Sequence, residues 1–242
     1  MKKLLKLLLT MSMLTMLIAG LTACGSTTDG TASEATTNSQ SDDRSSNTAA
    51  TSQTTDNSSA ADSNSDNITA ENDLLAGLHH AEIEVADYGI IYLELDADTA
   101  PITVTNFVNL ANSGFYDNLT FMRVMANFMI QGGDPNKDCT GGAPTTIKGE
   151  FAANGVENNI SHKRGTISMA RANNMNSASS QFFICNADSE FLDGAYAAFG
   201  TVTDGMDVVD AITADFADKT DSNGVITDKN IQPIITTIKI ID

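Results

Sequence analysis

The sequence predicts a mainly β domain: a closed, eight-stranded antiparallel barrel capped by two α-helices. Three observations carry this. Eight short runs rich in apolar and β-branched residues fall within residues 78–242. Only two stretches show helical periodicity, too few to connect a parallel sheet of that many strands. The region has no internal repeat and is long enough for one domain with a substantial core. Closure removes the exposed edges of many short strands, and two helices can cover the open ends of the barrel.

Taken in order, the first strand signal is Glu82–Val85, where Ile83 and Val85 alternate with two glutamates, and the second is Ile90–Leu95. Pro101 then opens a helix at a position where its missing N–H costs nothing. Val104, Phe107, Val108 and Ala111 share one face of that helix before Gly114 ends it. Strand signals follow at Thr120–Val124, Phe128–Gln131, Thr166–Ala170, Gln181–Cys185 and Ala198–Val202. A shorter helical pattern runs from Gly205 through Val208, Val209 and Ile212, and Ile231–Ile241 reads as the closing strand.

The remainder of the chain has a different character. Residues 1–23 have the layout of a secretory leader: Lys2, Lys3 and Lys6, then an apolar run from Leu7 to Gly20. Leu21-Thr22-Ala23-Cys24 resembles a bacterial lipobox, which implies cleavage before Cys24 and a lipid on its sulfur. An uncut membrane-spanning anchor is the competing reading, because the apolar run lies near the short end of what crosses a bilayer. Residues 24–77 are almost entirely Ser, Thr, Asn, Asp, Ala and Gln, with no Leu, Ile, Val, Met or Phe before Ile68. Such a segment cannot bury a core and reads as a disordered tether, with a reach on the order of 40 Å as a flexible chain. The expected location is extracytoplasmic, lipid-anchored to the bacterial cell membrane.

Charge and side-chain chemistry narrow the function. The formal net charge is −18, and loss of Lys2, Lys3 and Lys6 with the leader would make it −21. Nucleic acid is therefore excluded as a natural partner, and attachment to anionic lipid would depend on the acyl chains. His79, His80 and His162 lack the spacing of a metal site, so no metal is expected. Gly132-Gly133 and Gly141-Gly142 lack the sequence context of phosphate loops and read as turns. No pattern pairs Ser168 or Cys185 with a histidine base, which argues against hydrolysis. Cys139 and Cys185 are expected to be free thiols, with Cys185 buried as a small hydrophobe.

What does stand out is a guanidinium amid apolar strand residues, together with two glutamines and several large apolar side chains: Arg123, Phe128, Met129, Gln131, Gln181, Phe183 and Leu192. A charge beside a surface that would otherwise be dry is costly unless it is used, the alternative being that Arg123 snorkels its head to water from an ordinary strand. The set suits a reaction without bond breaking. Rotation about an amide must overcome a barrier of about 18–20 kcal/mol, yet before proline the two end states differ by only about 0.5–1 kcal/mol. A catalyst need only favour the twisted state. Alternation requires Phe182 and Phe183 to face opposite sides of their sheet, one into the core. Phe128 and Met129 can border one groove only at a bulge or a strand end.

Four segments then carry a family resemblance: Phe121-Met-Arg-Val-Met-Ala-Asn-Phe-Met-Ile-Gln-Gly-Gly-Asp134, Gly165-Thr-Ile-Ser-Met-Ala170, Ser177-Ala-Ser-Ser-Gln-Phe-Phe-Ile184 and Phe191-Leu-Asp-Gly194. In order and spacing they resemble a bacterial cyclophilin-type peptidyl-prolyl isomerase, over essentially the whole domain. The resemblance implies that Arg123 is catalytic and that Phe128, Met129, Phe183 and Leu192 line a proline pocket. It implies that Gln131 orients Arg123, that Ala170 and Arg171 belong to the backbone clamp on the residue before proline, and that Gln181 borders the adjoining groove. Three positions depart from the common pattern. Phe191 stands where many eukaryotic members have the tryptophan that contacts cyclosporin, so weak cyclosporin binding is expected. Tyr196 replaces a frequent pocket histidine, and Arg171 a frequent asparagine. The implied partners are proline-containing unfolded or exported polypeptides; no cofactor is required, and a monomer is expected. Two other readings remain at this stage, a peptide-binding module without turnover and a surface display scaffold.

Overall fold

The computed structural model describes residues 74–242; the leader, Cys24 and the tether up to residue 73 lie outside the described residues. The strands are β1 (Leu78–Val85), β2 (Gly89–Asp96), β3 (Leu119–Met125), β4 (Met129–Gly132), β5 (Thr166–Met169), β6 (Phe182–Cys185), β7 (Ala198–Asp204) and β8 (Ile234–Ile240). Two helices, α1 (Pro101–Asn112) and α2 (Met206–Phe216), follow β2 and β7. All pairings are antiparallel, and the strands close in the order β1-β2-β7-β5-β6-β4-β3-β8.

The barrel interior is built by alternation. Ala81, Ile83 and Val85 of β1 and Ile91, Leu93 and Leu95 of β2 point inward, joined by Ile130, Ile167, Phe182, Ile184 and Phe199. The expected face of α1, Val104, Phe107, Val108 and Ala111, is buried against this core. Phe107 touches the rings of Tyr116, Phe182 and Phe199 at centroid distances of 5.3–5.6 Å. The start of α1 has no local side-chain cap. Instead buried Glu150, brought from the long loop before β5, accepts the N–H groups of Ile102 (3.0 Å) and Thr103 (2.8 Å) and the Thr103 hydroxyl (2.6 Å). A carboxylate there satisfies two orphan donors and complements the positive end of the helix dipole.

The expected elements are present, with altered limits. β1 begins at Leu78 rather than Glu82, since its first residues pair with the end of β2, Leu78 opposite Asp96. The folded body starts before residue 78: Leu75 packs on the core and donates its N–H to Thr105 Oγ1 at 2.9 Å. β8 begins at Ile234, not Ile231. Pro233 cannot donate to a ladder, and Gln232 turns inward to accept from Thr120 and to donate to the carbonyls of Lys137 and Ile226. α2 continues one turn beyond Ile212 and buries Phe216.

One irregularity positions the functional face. The β3–β4 register shifts between Phe121 and Arg123. Without it, Phe121 and Arg123 would share a face; with it, Phe121 and Val124 both enter the core and Arg123 points away from it.

Candidate active site

The outward faces of β4 and β6 carry a second apolar cluster, separate from the barrel core. It comprises Met129, Ala170, Phe183, Cys185 and Leu192, with Met125, Phe128 and Tyr196 packed partly buried around it. The alternation is as expected: Phe182 lies in the core and Phe183 in this cluster. Phe128 precedes the first residue of β4, so it and Met129 both reach the cluster from a strand end. Phe191 is 65% exposed, and its ring meets that of Phe128 at 5.4 Å.

Arg123 lies beside this cluster, 5% exposed. Its Nε donates to the Asn223 carbonyl (2.8 Å), Nη1 to Gln131 Oε1 (3.0 Å) and Nη2 to Met125 Sδ (3.1 Å). Gln131 passes the restraint on: its Nε2 donates to Gln181 Oε1 (2.8 Å), and Gln181 Nε2 donates to the Gly141 carbonyl (2.6 Å). The strand registers set this relay, since Arg123 lies opposite Gln131 and Gln131 opposite Phe183. Burial pulls the Arg123 pKa below its ordinary value, with the negative potential of Asp221 among the opposing influences. A guanidinium remains charged under these conditions.

The Asn223 side of the site has no counterpart in the sequence expectations. Residues 223–226 lie along β3: Val225 forms a bridge with Arg123, and the N–H groups of Val124 and Ile226 donate to the carbonyls of Gly224 and Met122. Gly224 has φ +82°, and a Cβ there would come within 2.5 Å of Met125 Cγ, so this wall requires glycine. The only sequence signal was Asn-Gly, a turn dipeptide.

The expectation that Ser168 has no histidine partner is corrected. His162 Nε2 lies 3.0 Å from Ser168 Oγ and its Nδ1 2.8 Å from Asp193 Oδ1. Ser168 and His162 are both fully buried, so the three residues form a structural group. It joins β5 to the Leu192 turn, and His162 stacks on Phe183 at 6.0 Å and 15°. Burial lowers the His162 pKa against the raising influence of Asp193, favouring neutral imidazole.

Ala170 belongs to the second cluster, and its N–H donates to the Gln181 carbonyl at 2.9 Å. Arg171 Cζ lies between two rings, 4.6 Å from the centroid of Tyr196 and 5.1 Å from that of Phe151. Tyr196 meets Phe183 edge-on at 6.1 Å. Cys139 and Cys185 are free thiols, and burial raises them to about 11 and about 12 respectively. Among the described residues no group of three or more His, Cys, Asp or Glu could hold a metal ion.

The barrel thus bears a restrained guanidinium beside an apolar cluster on its outer face. The model of the cyclophilin type peptidyl-prolyl cis-trans isomerase family matches residues 80–239. A peptidyl-prolyl cis-trans isomerase-like 1 of Rhizopus delemar is 47% identical over 122 residues, 50% of this chain and 72% of the relative. A peptidyl-prolyl cis-trans isomerase of Helicobacter pylori is 47% identical over 126 residues, 51% of this chain and 74% of the relative. A crystal structure of a Cryptosporidium parvum cyclophilin type isomerase, determined in the presence of the dipeptide Ala-Pro, superposes with a TM-score of 0.59 at 29% identity. That match covers 67% of this chain and 99% of the other. The chain belongs to the cyclophilin-type peptidyl-prolyl cis-trans isomerases, and its reaction is rotation about the X-Pro amide.

Proposed function

We propose that the isomerase acts at the Arg123 face and that its clients are proline-containing segments of exported polypeptides. The observation that carries the assignment is a buried guanidinium, held by Asn223 and Gln131, beside apolar Met129, Phe183 and Leu192. The pocket grips the proline ring, and Arg123 donates a hydrogen bond to the prolyl nitrogen. That lone pair becomes available only when amide resonance is broken, so the bond strengthens in the twisted state and stabilises it selectively. No covalent intermediate or cofactor takes part. Ala170 and Arg171 present backbone to the residue before proline, and Gln181 borders the neighbouring groove. Phe191 offers an exposed phenyl where cyclosporin would require an indole, which supports weak cyclosporin binding.

Chemical-shift mapping with an Ala-Pro peptide tests the site. Perturbations should centre on Phe128, Met129, Phe183 and Leu192; a footprint elsewhere on the barrel would refute the assignment. The leader and Leu21-Thr22-Ala23-Cys24 support a lipid-anchored, extracytoplasmic protein. Cys24→Ser should abolish lipid incorporation, and protection of the domain from an impermeant label on intact cells would count against surface exposure.

A further inference from the structure

Strands β5 and β7 diverge where the groove begins. Their backbone pairing ends with Met169 N–H donating to the Ala197 carbonyl at 3.0 Å. Two residues further, the Arg171 side chain supplies the next connection. Its Nε and Nη2 both donate to the Ala195 carbonyl (3.0 and 2.9 Å), and Nη1 donates to the carbonyl of Ala172 (2.9 Å). One planar group thereby ties the clamp segment to the segment bearing Tyr196, while its faces lie against Tyr196 and Phe151. The contacts continue inward, since Tyr196 meets Phe183 and Phe183 stacks on His162. An ammonium could not reproduce this, because it has neither the fork for one carbonyl nor a flat face for two rings.

We propose that Arg171 is a positioning residue that sets the width of the substrate groove: it locks the Ala170–Ala172 backbone to Ala195 and holds the Tyr196 ring against Phe183. It acts on substrate binding through these groups and takes no part in the twisting of the amide. This rests on the Arg123-face groove proposed above.

Line-shape NMR on the full chain with an Ala-Pro peptide separates the dissociation constant from the bound-state exchange rate. Arg171→Met is expected to weaken binding about five- to tenfold, as a looser clamp must be ordered by the ligand. The bound-state exchange rate should stay within about twofold. Arg171→Lys should not rescue it, and Tyr196→Ala should match Arg171→Met. The double variant should bind no more weakly than the weaker single variant, because both changes break one connection. Unchanged affinity in Arg171→Met, rescue by lysine, or additive losses in the double variant would overturn the proposal. So would equal falls in affinity and exchange rate accompanied by a lower Tm. If the wild-type footprint lies away from Phe183 and Tyr196, the groove assignment fails instead.

Discussion

His162 shows how a single buried side chain can support a site without touching substrate. Its neutral ring accepts from Ser168 at Nε2, donates to Asp193 at Nδ1, and presents a face to Phe183. Burial holds its pKa below the unfolded value, so the unfolded chain takes up this proton at higher pH than the native one. Stability from this group is therefore complete above about pH 6.5 and is lost as pH falls towards the lower native value. Asp193, held below its ordinary value by its hydrogen bonds from His162 and Ser161 despite burial, adds a loss only at more acid pH. The Tm of the wild type should fall between pH 7 and pH 5, and His162→Gln should flatten that slope; equal slopes would remove His162 as the cause. The sequence did not reveal this group because Ser168, His162 and Asp193 are brought together by the β5 pairing and the Leu192 turn, not by spacing. Arg123 was legible for the opposite reason, as an obligatory charge inside an apolar strand pattern.

At the level of elements, α1 was readable from Pro101 and its apolar face, but its cap was not. Ala100 offers no side-chain acceptor, and the group that serves the first turn lies 47–48 residues downstream in Glu150. Glu150→Ala leaves two backbone donors and a hydroxyl without their acceptor in a buried setting. It should cost about 2–3 kcal/mol, from the loss of a cap and of hydrogen bonds to a charged group. Urea titration should show a lower midpoint at unchanged slope, with Glu150→Gln intermediate. A midpoint equal to wild type would mean that the cap contributes nothing. The strand signals gave existence and order, while their limits depended on tertiary features: the Leu78–Asp96 pairing, the inward turn of Gln232, and the register shift that aims Arg123 outward.

Across the whole molecule, composition marked off the folded body, whose core contacts begin at Leu75 rather than at the expected residue 78, because Leu74-Leu75 lies in otherwise polar surroundings. The order in which the strands close could not be read, since short antiparallel strands admit many neighbours. That order is what makes the site. It places β4 between β3 and β6, so that Arg123, Gln131 and Phe183 stand side by side across three strands. The formal net charge is −18, and Arg123 is the one buried arginine among the described residues. The central claim is that Arg123 lowers the barrier to X-Pro rotation while the apolar pocket supplies the grip. Exchange NMR on an Ala-Pro peptide, with the full chain and with Arg123→Ala, tests it most directly. Accelerated cis/trans exchange that falls about 10²- to 10³-fold in the variant, with peptide binding largely kept, is the predicted result. Full exchange activity in Arg123→Ala would contradict it.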